Sequence, residues 1–495
     1  MKRILCFLLA ALMLSALLVG CKKKGEDVNT EPSDTVSATN TEAVDPYDVH
    51  DDLGDLKFGT KSNPVEFTVL QWDSYDPDWC VDPSDRETNI VLNELYNRQL
   101  YMEDRFGIVF SFVEVGGKYN GIQEFNQKIE ASIMGGSHAY DLAGHYSVGA
   151  SLLITNGYAH NLLDVEHLDL AKSYWPKDLL DANIVNGQMY FLTGYLAPSY
   201  FGNIASVFYN KNTVESMSFE NPVELVDNNQ WTFEKMKQMS LNLYADTKNN
   251  GVDREDNFGI VFNQGAAPID ALSVACGVKI LDIGSNGRLQ LSPTCYSTLG
   301  VGIIDELTKL VSQNNAVFID LESGDDFGGV FSSGRALFNI GQLNDMVTYT
   351  QKASFDIGAV PLPKYDTDQE AFYSSVGPQF TMFTIPADAK DPDMTGALLE
   401  ALEAYSYREV FPVVYEQNFK LKYSSDSDMS RMVTLIYEST RLDPAKTWGN
   451  AADLYWITRP SISGGDSWST RLGQYRNTTW QSSIDALNKY LFHET

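Results

Sequence analysis

The sequence predicts an α/β protein of two lobes joined by crossing strands. With 495 residues the chain is too long for one compact core. From about residue 60, short apolar strands alternate with amphipathic helices, the pattern of a largely parallel sheet covered on both faces. That alternation stops at an extended run over residues 189–193, restarts after an extended run over 205–209, and meets a candidate return strand at 379–385. Two lobes enclose a cleft, and a cleft is the default place for a ligand.

The N-terminus carries an address. Lys2 and Arg3 precede an apolar run from Ile4 to Val19, and Leu18-Val19-Gly20-Cys21 follows directly. The run is short for a membrane span and ends in small residues before a cysteine, as a cleavable export signal does. The arrangement resembles a bacterial lipobox, which implies removal of residues 1–20 and diacylation of Cys21. Residues 21–59 are polar and acidic, too poor in apolar groups to offset the entropy of ordering, and are expected to form a flexible tether. A coil of that length spans roughly 30–36 Å.

The net charge is −30, and cleavage before Cys21 would remove two of the basic residues. Such a surface repels phosphate backbones, so nucleic acid is excluded as a partner, and an anionic cargo is disfavoured. No later apolar run is long enough to span a bilayer. Among the cysteines of the mature chain, Cys80, Cys276 and Cys295 show no CxxC spacing, and Cys276 and Cys295 are open to either a disulfide or two buried thiols.

Order is expected from residue 65. Val65-Glu66-Phe67-Thr68-Val69-Leu70-Gln71-Trp72 reads as a strand leading into a loop over 73–84, followed by a helix over 88–106 capped by Gly107. A strand over 108–113, a helix over 122–134 closed by Gly135-Gly136 and a strand over 140–143 complete the first series. Beyond the crossover, Thr232 is placed as an N-cap, with Trp231 and Met236 at the spacing of a hydrophobic staple, which gives Trp231 a packing role. Strands are expected at 334–341 and 357–364, and helices at 395–409, 430–438 and 480–491.

Catalytic motifs are absent: there is no G-x-S-x-G, H-E-x-x-H, P-loop or G-x-G-x-x-G. No metal and no cofactor is expected. His138, His145, His160 and His167 share a region without a compact ligand spacing. The loop from Asp246 to Asn257 has oxygen donors at its first and fifth places and Gly251 at the sixth, as a calcium loop does. Lys248 at the third place and Asn257 at the twelfth make it a turn rather than a cation site. What stands out instead is aromatic content of 12%, partly gathered after expected strands. Trp72, Asp73 and Tyr75 follow the first strand, His145 and Tyr146 the third, and Tyr195 the run over 189–193. Ligands of open α/β sheets sit beyond the carboxyl ends of strands. A sugar ring offers C–H faces to aromatic planes and hydroxyls to carboxylates and amides, which such loops suit.

Met189-Tyr190-Phe191-Leu192-Thr193-Gly194, Val207-Phe208-Tyr209-Asn210-Lys211, Gln230-Trp231-Thr232, Ser333-Gly334-Arg335-Ala336-Leu337-Phe338 and Gly358-Ala359-Val360-Pro361-Leu362-Pro363-Lys364 together resemble the extracellular solute-binding proteins of ABC importers. The group is family 1, the kind that includes maltose-binding protein, and the resemblance covers roughly residues 60–440. It implies a periplasmic-binding-protein-like fold of type II, with lobe 1 at residues 60–205 plus 378–412 and lobe 2 at 206–377 plus 413–495. It also implies that the turn after the strand at 336–339 reaches the ligand through Gln342 and Asn344, although the aromatic often found there is missing. The expectation is a monomeric lipoprotein on the extracellular face of the cell membrane. It would bind a small solute, an oligosaccharide first, deliver it to an ABC transporter permease and catalyse nothing. The rival readings are a surface carbohydrate-active enzyme, lyase or hydrolase, and a sugar-sensing receptor without transport.

Overall fold

In a computed structural model the strands divide into two main sheets, one on each side of a crossing in the chain. The structure describes residues 47–494 except 75, 88, 264–265, 416–426 and 453. Cys21 and Tyr75 therefore lie outside the described residues. Residues 46–495 form one unit by their internal contacts.

The first sheet holds β1 (Val65–Trp72), β2 (Ile108–Val115) and β3 (Leu142–Tyr146) in parallel, with helices α1 (Ile90–Phe106) and α2 (Ile122–Gly135) as the crossovers. The third strand begins two residues later than the sequence indicates. The Asp141 carboxylate instead accepts the Thr68 N–H at 2.8 Å, which closes the end of the ladder. Gly107 caps α1 at φ 67°, and its backbone lies so close to Gly59 that a Cβ would fall 2.2 Å from the Gly59 carbonyl oxygen.

The chain then crosses to the second sheet. Here β4 (Ala205–Asn210), β5 (Phe258–Asn263), a small hairpin β6 (Leu281–Ile283) and β7 (Leu289–Leu291), β8 (Val317–Asp320), β9 (Ala336–Gln342) and β10 (Ile357–Val360) follow in order. Excluding the hairpin, the five strands lie in the order β10-β4-β9-β5-β8. The chain returns to add β11 (Thr381–Thr384) antiparallel to β3 in the first sheet. Helices α3 (Phe233–Ser240), α4 (Ala266–Ala275), α5 (Thr298–Ser312), α6 (Asp345–Lys352), α7 (Pro392–Tyr405), α8 (Ser427–Glu438) and α9 (Gln481–Leu491) pack against these sheets and one another. Trp231 is fully buried, with its indole N–H on the Pro361 carbonyl at 2.8 Å, and Thr232 Oγ1 accepts the Lys235 N–H at the start of α3.

Two segments link the sheets side by side. Ile204 on the outward path bridges Val376 on the return, the Ala205 N–H donates to the Ser375 carbonyl, and the Gly377 N–H donates to the Asn203 carbonyl. The run at 189–193 is not a strand. Only Leu192 pairs, through an isolated bridge to Phe383, because the groups around it are taken by other partners. The Met189 N–H goes to Asn161 Oδ1 and its carbonyl to the Leu162 N–H, while the Glu403 carboxylate takes the N–H groups of Tyr195 and Leu196. Burial of its apolar side chains, not membership of a ladder, accounts for its strand-like composition.

The C-terminal part of the expected tether is also corrected. Residues 47–58 are packed as a strap on α1 and on the turn after α7. Arg105 forms a bidentate pair with Asp51, Arg408 donates to the Val49 carbonyl at 2.9 Å, and Phe58 stacks on Phe106 at 6.0 Å. A few anchoring side chains outweigh the polar average of the segment.

Glu403 supplies a pH test of this packing. Burial pushes its carboxyl up to about 8, nearby Glu400 adds to the rise, and the two N–H bonds and Arg98 oppose it. Between its ordinary value of 4.5 and about 8 the folded chain holds a proton that the unfolded chain releases, so this group's contribution to stability falls as pH rises through that window. Thermal unfolding followed from pH 5 to pH 8 should show a decline that Glu403→Gln flattens. An unchanged slope in the variant would remove Glu403 as its source.

Candidate ligand-binding cleft

The carboxyl ends of the first sheet and the carboxyl end of β5 come together around a cleft of about 600 Å³. Tyr119 and Tyr146 stand on the side of the first sheet, Pro378 and Gln379 on the return crossing, and Ala267, Trp456 and Arg459 on the side of the second sheet and the C-terminal segment. Tyr119 is 57% exposed, and its ring lies 5.4 Å from that of Trp456 at 76°. The two sides thus meet here through an edge-to-face aromatic pair.

Each of these side chains is positioned by a local cause. Tyr119 sits in a turn after β2 that the Asp73 carboxylate holds through the Gly117 N–H at 2.9 Å and Lys118 at 3.0 Å. Burial acts against the Asp73 charge, but those donors outweigh it and keep the carboxyl below its usual value. Tyr146 ends β3 and is backed by Trp72, ring edge to face at 5.1 Å. Trp456 packs edge-on to Tyr455 at 4.0 Å, and the Arg459 guanidinium lies 4.6 Å from its ring centre. Arg459 grips both oxygens of Asp270 on α4, and Lys446 stands 4.0 Å from the same buried carboxylate. On the opposite flank Asn450 donates to the Val148 carbonyl at 2.7 Å, so the C-terminal segment touches both sides of the cleft.

The residues expected at the ligand divide by position. Tyr146 lines the cleft, and Asp73 holds the turn that bears Tyr119. Trp72 is 2% exposed, donates its indole N–H to Thr381 Oγ1 at 2.8 Å, and lies behind Tyr146 rather than on the wall. It borders a separate cavity of about 280 Å³ with Asp78 and Trp79. His145 points into the core beneath the strand, 4.7 Å from Phe125 and 2.9 Å from Thr384 Oγ1. Burial pushes its imidazole down to about 3, so it is neutral. Tyr195 belongs to an aromatic cluster with Phe201 and Tyr407 and shares no wall with the cleft. Gln342 and Asn344 lie where the two sheets meet: the Gln342 N–H caps onto Asp345 Oδ2, and Asn344 reaches across to Asp76 at 2.7 Å.

Tyr119, Gln379, Trp456 and Arg459 escape the sequence reading. Tyr119 follows a strand end and obeys the rule applied to the other strands. Trp456 and Arg459 lie in a segment of turns between helices, where no periodicity marks a face.

No group of three or more metal-ligating side chains occurs among the described residues. In the Asp246 loop the carboxylate already accepts the N–H groups of Lys248, Asn250 and Gly251, and Lys248 pairs with Glu255, so the loop closes on itself. Cys276 and Cys295 are free, buried thiols. No helix among the described residues is long and apolar enough to cross a membrane.

No family profile matches the chain, and no curated protein matches it. Solved structures do. An ABC substrate-binding protein of Listeria monocytogenes in complex with cycloalternan is 16% identical with a TM-score of 0.54, over 87% of this chain and all of that one. The GacH receptor of Streptomyces glaucescens, solved without ligand and with acarbose, is 16% identical with a TM-score of 0.53 over the same shares. UgpB of Mycobacterium tuberculosis, in complex with glycerophosphocholine, is 15% identical with a TM-score of 0.52, over 87% of this chain and 99% of that one. At such identities the likeness establishes a shared two-lobed α/β fold, as expected from the sequence.

Removing the Arg459 side chain should leave Asp270 short of its bidentate partner and free the Trp456 wall. Arg459→Ala is expected to cost roughly 1.5–3 kcal/mol, the worth of hydrogen bonds to a charged group. Chemical denaturation would measure it, and a wild-type midpoint would mean that Lys446 alone satisfies the carboxylate.

Proposed function

We propose that this chain, which has the fold of ABC substrate-binding proteins, captures a small solute between its two lobes and delivers it to an ABC transporter permease. Lobe 1 comprises residues 60–205 plus 378–412, and lobe 2 residues 206–377 plus 413–495. The observation that carries the reading is the cleft itself, where Tyr119 and Tyr146 face Trp456 across the crossing segments. An oligosaccharide is the cargo that chemistry favours, since ring faces stack on sugar C–H surfaces while Gln379 and the Arg459–Asp270 pair offer polar groups at the edge. The cycloalternan and acarbose bound by two proteins of the same fold support that choice. The protein releases its cargo unchanged and works as a monomer without cofactor.

Anchoring is the second part of the reading. Leu18-Val19-Gly20-Cys21 behind a short apolar run supports lipidation at Cys21 and a position on the extracellular face of the cell membrane. One acyl chain binds a membrane only marginally, so the anchor requires two. Mass spectrometry of the membrane fraction should find an N-terminal lipidated cysteine, and Cys21→Ser should release the protein or leave its precursor uncut. An unmodified mature N-terminus elsewhere overturns this part alone.

Calorimetry with maltotetraose as the first probe, followed by other linear and cyclic oligosaccharides, tests the cleft. Trp456→Ala and Tyr146→Ala should each weaken binding by roughly 1–4 kcal/mol, the span of truncations that matter in an interface. A ligand that touches both lobes favours the closed form, so small-angle scattering should report a smaller radius of gyration on binding. The recovered sugar should be intact. Consumption of the sugar with unchanged scattering would replace the importer reading with an enzyme.

A further inference from the structure

A groove of about 680 Å³ continues from the cleft along helix α2, and Tyr119 belongs to the walls of both. The register of α2 builds one wall. Ile122, Phe125, Ile129 and Ser132 are buried, so Gln123, Asn126, Gln127 and Glu130 fall at helical spacing on the neighbouring face. The segment after β3 builds the other wall, with Leu152, Asn156 and Tyr158. Hydrogen bonds hold the two walls in place. Asn126 donates to the Gly149 carbonyl at 3.2 Å, and the Tyr158 hydroxyl donates to Glu130 Oε1 at 3.3 Å. Asn450, bonded to the Val148 carbonyl, joins the lining from the C-terminal segment that also carries Trp456. Glu130 lies two helical turns past Gln123, roughly 10 Å along the axis, so the groove leads away from the cleft.

The composition of the lining selects the occupant. Of the whole chain 21% is charged, yet among the described residues of the groove only Glu130 is. In place of charges stand carboxamides, with Asn120, Gln123, Gln127 and Asn156 all exposed. A carboxamide offers two donors and an acceptor without charge, which matches a hydroxyl that is itself both donor and acceptor. An anion finds no cation in this lining, and the single carboxylate already accepts from Tyr158. Ring surface stands at each end, Tyr119 at the mouth, 57% exposed, and half-buried Tyr158 beside Glu130. We propose that the groove extends the ligand site and holds the units of a linear oligosaccharide that run past Tyr119 beyond the cleft. The protein then prefers long sugars to short ones. This inference rests on the reading of the cleft as a sugar site. The lining belongs to lobe 1 except for Asn450, so units held there add affinity rather than closure.

The test is calorimetry on the full chain with maltotriose and maltoheptaose, and with cellotriose and cellohexaose for a second linkage. In the series that binds, the long sugar should exceed the short one by at least about tenfold in affinity. Joint substitution Gln123→Ala and Gln127→Ala should erase that gain and leave the short sugar within about twofold of wild type. Both side chains are exposed, so the double variant should keep the wild-type thermal midpoint. Asn156→Ala, on the opposite wall, should reduce the gain in part. Trp456→Ala, in the cleft, should weaken short and long sugars alike. Scattering should show the same decrease in radius of gyration with both lengths. Equal affinity for short and long sugars, or a length preference that survives the double variant, overturns the groove and leaves the cleft standing. Equal weakening of both lengths by the double variant also overturns it, since Gln123 and Gln127 would then belong to the cleft. Failure of every sugar to bind overturns the reading of the cleft and this inference together.

Discussion

The structure depends on one buried polar node beside the crossing. The Asp78 carboxylate, 3% exposed, accepts the Ser199 N–H and hydroxyl at 2.8 Å each and the Thr381 hydroxyl. Arg98, wholly buried on α1, donates to the Asp78 carbonyl, to the Leu196 carbonyl at 2.9 Å and to Ser406 Oγ at 2.9 Å. Five stretches distant in sequence thus converge on two side chains: the loop after β1, helix α1, the path into the crossing, the returning β11 and the turn after α7. Burial pushes the Asp78 carboxyl up to about 6 against the pull of these donors and Arg98, a measure of what taking the charge out of water costs. A charge so buried is tolerable only with its hydrogen bonds complete, which ties these stretches to one geometry.

The cleft inherits that geometry. Thr381 is gripped by Asp78 on one side and by the Trp72 indole on the other, so the strand that brings Gln379 back is fixed to the strand that ends behind Tyr146. At the crossing the backbone runs close. The Gly377 Cα lies against the Gln342 side chain, whose Nε2 is 2.0 Å from where a Cβ would stand, so the return path passes beside the end of β9. Asn344 and Asp76 add a hydrogen bond from the turn after β9 to the loop after β1.

In the cleft the rings belong to separate sheets and terminal segments, and polar groups stand among them with their charges already matched by Asp270. Aromatic content alone does not mark the cleft, since the fully buried Trp231, Trp448 and Trp468 belong to the interior.

The sequence by itself determined the α/β class, the existence of two series of strands and the place where the chain passes between them. Strand and helix periodicity, caps such as Thr232 and terminating glycines such as Gly107 are local, and local physics is written in consecutive residues. It also pointed to the strand ends at which Tyr146 and Asp73 stand, because strand ends are readable from a run of apolar residues. Only the tertiary structure decided that residues 189–193 leave the ladder, that 47–58 bind down as a strap, and that Trp72 and His145 face inward while Trp456 faces the cleft. Each of those outcomes turns on a partner hundreds of residues away, such as Thr381 for Trp72, Thr384 for His145, Arg408 for the strap and Tyr119 for Trp456. Which face of a strand is lined and which is covered depends on what folds over it, and no local pattern carries that information.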